Sequence, residues 1–165
     1  MTDKRSVLNE YASLITWLES TALKMSKDVF FQPIKQGKWS PAEILSHIMK
    51  WDHYLLKERI PFLHSEANLP RLDHVEEVNQ RAAEYARSGL SKEKLIAETI
   101  EARRQVVERL QRINPIEWKS TFYIDKYPNC LTSYIKGLIE HDDHHKLQIE
   151  VFMNKHGSSL THFSS

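Results

Sequence analysis

Cysteine is nearly missing from this sequence: Cys130 stands alone among 165 residues, so no intrachain disulfide can staple the fold. Glycine is scarce at four, too few for the loop-rich layout of an all-β design, and helix is the expectation. Net charge is close to absent, with 23 Lys and Arg against 22 Asp and Glu. That balance offers no field to draw in polyanions, and it leads to an expectation of no nucleic-acid partner and no membrane partner. No apolar run approaches membrane-spanning length, and the start of the chain enters an amphipathic pattern without a signal-peptide core. A cytoplasmic location is therefore expected.

What is present is an ordinary globular balance, 41% hydrophobic and 27% charged. A chain of this length supports one sizeable core, so a single domain over 1–165 is expected, without internal repeat, low-complexity tract or linker. Apolar residues at Val7, Leu8, Tyr11, Leu14, Ile15, Leu18, Ala22 and Met25 follow the spacing of one helical face and predict a helix over about 3–26. The stretch Lys27 to Lys38, with Pro33 and Gly37, reads as a connection. At Ser40 three start signals coincide: a capping serine, Pro41 in the first helical position, and Glu43 to complete a capping box. The helix that begins there runs through Ile44, Leu45, Ile48, Trp51 and Leu55 towards Pro61.

Residues 62–72 read as a loop, and Val75, Val78, Ala82 and Tyr85 form a weaker helical face ending near Gly89. Ser91 opens a fourth helix, closed by Pro115. Between Ile116 and Asn129 the pattern breaks, and Trp118, Phe122 and Tyr123 are expected to pack over one end of a bundle, without support for a strand. The last helix is predicted from near Thr132 to just before Gly157, leaving 158–165 as a tail. The fold class is all-α.

The inward stripe of that last helix reads Leu131, Tyr134, Leu138, His141, His145, Gln148, Phe152. Imidazoles and an amide inside an apolar stripe need partners, because burying a polar group without one costs roughly 1–3 kcal/mol. His141 and His145 lie four apart, on the same face one turn from each other, a spacing that lets two rings grip one ion. His47 interrupts the apolar stripe between Ile44 and Trp51 in the same way, and a third ligand from a facing helix leaves coordination positions open for chemistry. Each histidine also has a plainer reading, as a core residue bonded to a carbonyl or water. His144 points to the helix flank and is the alternative ligand. Asp142 and Gln148 are candidates to orient a ligand or bound water, and Asp142, Asp143 and His144 are candidate general bases. His53, His64, His74, His156 and His162 lack partners at a useful spacing and read as surface or loop residues. At the ordinary imidazole pKa, metal binding is expected to weaken below about pH 6.5.

Trp39-Ser-Pro-x-Glu43-Ile-x-x-His47 followed far downstream by His141-x-x-x-His145-x-x-Gln148 resembles the DinB and YfiT-like family of metal-binding four-helix bundles, and the likeness spans nearly the whole chain. The resemblance implies an up-down-down-up bundle with a long crossover and an extra short helix or loop segments. It further implies a homodimer and a three-histidine pocket at His47, His141 and His145 holding zinc or nickel. It implies either thiol S-transfer with a bacillithiol-type co-substrate or metal-dependent hydrolysis on a small molecule. The alternative is a stress-related protein whose metal serves stability or dimerisation without turnover. Paired Glu-x-x-His segments of di-iron bundles, a later Asp for an HD phosphohydrolase, a Walker loop and a nucleophile elbow are all missing.

Overall fold

Asp3, Ser26, Ser40 and Ser91 each turn a side-chain oxygen onto the backbone N–H three residues ahead, and at each of them a helix begins. Such a cap satisfies one of the donors that the first helical turn leaves without a partner. The computed structural model describes residues 3–164, with side chains through His156. Its helices are α1 (Lys4–Ser20), the single turn α2 (Lys27–Phe30), α3 (Pro41–Tyr54), α4 (Val75–Ala86), α5 (Lys92–Gln111), α6 (Pro115–Lys119) and α7 (Leu131–Ser164). The four long ones, α1, α3, α5 and α7, form the bundle, and α4 packs along α3.

Side-chain contacts fix the directions. Lys4 at the start of α1 donates to the carbonyls of Gln111 and Ile113 at the end of α5, while Lys92 at the start of α5 donates to those of Leu23 and Met25 just past α1. These two helices are therefore antiparallel. Arg87, just ahead of α5, reaches Glu43 in the first turn of α3 at 2.8 Å, so α3 and α5 run the same way. Thr132 at the start of α7 reaches the Trp118 carbonyl, and Trp118 reaches that of Leu110, which sets α7 against α5. The order is up-down-down-up, and residues 55–91 make the long crossover that parallel neighbours require.

The core is divided in two. Leu14, Leu18, Ile44, Leu45, Leu95, Ile96 and Ile149 fill one half; Val7, Leu8, Val106, Leu110, Trp118, Leu131 and Ile135 fill the other. Between the halves lies a buried polar layer with one residue from each bundle helix. Arg103 binds Asp52 through Nε at 2.9 Å and Asp142 through an Nη at 2.7 Å, and its guanidinium stacks 3.8 Å above the Tyr11 ring centroid. Tyr11 donates to Asp52 at 2.9 Å.

Several features depart from the expectations. The first helix stops at Ser20 rather than near 26, giving way to a 3₁₀ turn over Ala22–Lys24, and the expected connection from Lys27 opens with the turn α2. The segment after α6 does form strands, β2 (Thr121–Ile124) and β3 (Tyr127–Cys130), joined in a hairpin, and β1 (Asn68–Leu69), within the expected 62–72 loop, pairs in parallel with β2. The hairpin's turn places Asp125 and Lys126 at φ 50° and 70°, the left-handed pair that a two-residue hairpin turn demands. Lysine is an unusual occupant there, which hid the turn. The helix from Ser40 leaves α geometry after Tyr54 for a π turn over Leu55–Arg59 and a 3₁₀ turn over Ile60–Phe62, where Pro61 sits. Finally, α7 continues past Gly157 through most of the expected 158–165 tail, Ser165 lying outside the described residues. A lone glycine costs a helix only about 1 kcal/mol relative to alanine and does not by itself end one.

Candidate metal centre

On α3 the capping box and Pro41 set the helix register, and two turns on that register buries His47 between the bundle and α4. Its Nδ1 lies 2.9 Å from Asn79 Oδ1 on α4, and the Trp51 indole donates to the same oxygen at 3.0 Å. An amide oxygen only accepts, so His47 carries its proton on Nδ1 and presents a bare Nε2. On α7, His145 Nδ1 likewise donates to Gln148 Oε1 at 2.8 Å, which bares its Nε2 as well. Both bare nitrogens face His141 Nε2, at 3.4 Å from His47 and 3.2 Å from His145. One atom from each of the three rings falls within 4.8 Å of the others.

The set fits a cation. A single proton on His141 Nε2 can bond only one of two facing lone pairs, so the cluster is richer in acceptors than in donors. A tetrahedral ion with nitrogen ligands at about 2.0–2.1 Å holds those nitrogens about 3.3–3.4 Å apart, which matches the two separations between rings. The amides of Asn79 and Gln148 fix tautomer and ring orientation as outer partners of metal-binding histidines do. Burial pushes the His47 imidazole down from its ordinary 6.5 to about 4, with repulsion from His145 and His141 adding to it and the Asn79 bond opposing it. Burial also lowers His141 and His145, helped by charge repulsion from His144. All three rings are thus held neutral, the form a metal needs. Protons should displace an ion at lower pH than the 6.5 of a free imidazole, so the expected onset moves to more acidic conditions.

Two of the three rings, His47 and His141, border a cavity of about 450 Å³ whose lining includes Trp51, Tyr54, Asn79 and Tyr134, with the Arg103 layer as its floor. Asp142, expected to orient a ligand, turns instead to Arg103 in that floor. The layer sets one cation against two carboxylates, and burial pushes the Asp142 carboxyl up while Arg103 opposes the shift. Gln148 accepts from His145 Nδ1–H. His144 is exposed, its ring 5.3 Å from that of His145 and outside the triad, and exposed Asp143 faces Lys146 at 3.8 Å. His53, His64 and His74 are exposed and His156 half-buried, while the side chain of His162 lies outside the described residues.

Sequence reading overlooked Asn79, Asp52 and Arg103. The signal was there: Val75, Asn79, Ala82 and Ala86 share one face, as do Ile48, Asp52 and Leu55, and Thr99, Arg103, Val106 and Leu110. Each polar residue interrupts an inward stripe just as the histidines do.

Two solved structures share the fold. One, described as YfiT from Bacillus subtilis, a probable metal-dependent hydrolase with an unusual four-helix bundle topology, matches with a TM-score of 0.74 and 16% identity over 93% of this chain and 87% of that one. The other, the colibactin self-resistance protein ClbS in complex with double-stranded DNA, matches with a TM-score of 0.70 and 14% identity over 93% of this chain and 96% of that one. The second overturns the expectation that nucleic acid is excluded, since a protein of this fold is described bound to DNA. Net charge was a poor guide because it averages over the surface. Lys50, Lys57, Arg71 and Arg81 share one cleft of about 550 Å³ with Glu58 and Asp73, a local balance that the formal charge of +1 does not describe. Among the described residues no helix is long and apolar enough to cross a membrane. No curated protein matches the sequence. The DinB superfamily model matches residues 11–149, the span that carries α3, the crossover and both histidine motifs, and this chain belongs to that superfamily.

Proposed function

We propose that this protein is a metal-dependent enzyme in which His47, His141 and His145 hold one divalent ion, zinc or nickel, at the wall of the 450 Å³ cavity. The observation that carries the reading is the convergence of three neutral imidazoles, two of them oriented by amides, beside a cavity with room for a substrate. A divalent ion bound there supplies Lewis acidity, lowering the pKa of a thiol or water that it binds.

Thiol S-transfer is the preferred reaction class. Asp52 and Asp142, the two carboxylates on the cavity, are both engaged by Arg103, so neither is free to take a proton from a nucleophile. A low-molecular-weight thiol bound to such an ion would give up its proton to solvent, with no protein base required. His47 and His145 are held in place by Asn79 and Gln148, and Trp51 and Tyr54 give the cavity aromatic walls. Hydrolysis is the second reading, favoured by the description of YfiT.

Elemental analysis of untagged protein tests the centre: close to one ion per chain in the wild type is expected, and about a hundredfold weaker retention in His47→Ala with the helical spectrum unchanged. Metal-loaded protein is then offered cysteine with a chlorinated electrophile and, separately, activated esters. Thioether formation lost in His145→Ala supports transfer, ester cleavage alone supports hydrolysis, and no turnover of either leaves a non-catalytic metal-binding protein.

A further inference from the structure

Arg59, on the π turn that follows α3, is a charge in need of an anion. The residue is only 6% exposed, yet no carboxylate among the described residues pairs with it. One Nη donates to the Pro70 carbonyl at 2.8 Å, and its Nε has no hydrogen-bond partner. An arginine is never neutral in a protein, so the desolvated charge stands uncompensated.

What surrounds it belongs to the cavity. The guanidinium lies 5.2 Å from the centroid of the Tyr54 ring, and its charge bears on the Tyr134 phenol, whose pKa burial raises while Arg59 opposes the shift. Both tyrosines line the cavity that His47 and His141 border. The Tyr134 phenol carries an O–H that can donate to an anion in the cavity. A donor polarised by a cation behind it is strengthened towards an anion in front. Tyr134 precedes His141 by seven residues on one helix, two turns, or roughly 10 Å along the axis.

We propose that the Tyr54–Tyr134 end of the cavity, backed by Arg59, binds the carboxylate of an elongated substrate whose reacting group reaches the histidine triad about 10 Å away. The placement of the reacting group rests on the proposed metal centre; the carboxylate site does not. The substrate class is then an organic acid with an apolar stretch between its two functional ends, matching the aromatic and aliphatic walls between them, Trp51, Leu55 and Leu138.

Octanoate and its uncharged counterpart octanamide test this, with isothermal titration calorimetry as the readout in both metal-loaded and chelator-treated full-length protein. Octanoate is expected to bind about tenfold tighter than octanamide in both forms. Arg59→Gln should erase that preference. Because Arg59 also holds the Pro70 carbonyl, Tyr134→Phe serves as the second variant: it leaves that bond intact and should cut the preference severalfold. Equal binding of acid and amide by the wild type, failure of both to bind, or a preference that survives in a folded Arg59→Gln, would overturn the proposal. A wild-type protein that retains no ion but still selects octanoate overturns the metal reading and leaves this one standing.

Discussion

Asn79 Oδ1 accepts from an imidazole and an indole at once, and so decides which nitrogen of His47 faces the cavity. Removing such an outer partner typically weakens metal binding 10- to 100-fold. Asn79→Ala is expected to do so in a competition against a chromophoric chelator, whereas Asn79→Asp, which keeps the acceptor, should bind nearly as well as wild type; an unchanged affinity in the alanine variant would show that His47 does not need this amide. The residue was legible in principle, since it sits at helical spacing from Val75 and Ala82. It went unread because an asparagine on a weak amphipathic face is indistinguishable from a solvated one until its neighbour on α3 is known. The imidazoles were easier. Three of them interrupting two long apolar stripes is a pattern that surface histidines do not make.

At the scale of elements, the sequence is most informative where a cap is spelled out. Ser40 accepts from the Glu43 N–H at 3.1 Å and Glu43 returns a bond to the Ser40 N–H at 3.3 Å, the reciprocal pair that the Ser-Pro-x-Glu pattern announced. Ser40→Ala should lower stability by about 1 kcal/mol, read as a smaller midpoint in urea with the same slope, because a cap is lost without any change in buried surface. A changed slope would mean instead that α3 has lost its seat on the bundle. Where turn chemistry is atypical the reading failed: Asp125-Lys126 lacks the glycine that flags a hairpin, and the strands it joins are only four residues each. The π turn was equally invisible, for nothing in Leu-Leu-Lys-Glu-Arg distinguishes it from ordinary helix. It nonetheless decides where the Arg59 side chain goes.

For the molecule as a whole, the polar layer of Tyr11, Asp52, Arg103 and Asp142 joins all four bundle helices. All five N–H donors of Arg103 are engaged, four on the two carboxylates and one on the Tyr11 carbonyl. Removing one partner of such a buried ion network strands the others, at a typical cost of about 3–5 kcal/mol. Arg103→Leu should therefore lose about that much in urea unfolding at pH 7, and a loss under about 1 kcal/mol would mean that water enters the layer and solvates the carboxylates. Bundle topology was accessible only through family likeness, because helical periodicity gives faces and lengths but not the direction in which a neighbour runs.

That direction has a temporal consequence. Synthesis delivers His47 first and the two imidazoles of α7 nearly a hundred residues later, after both parallel helices and the whole crossover. A nascent chain therefore carries His47 without His141 and His145 for most of its elongation, and on the proposed metal reading an ion would be captured among the last events of maturation rather than seed it.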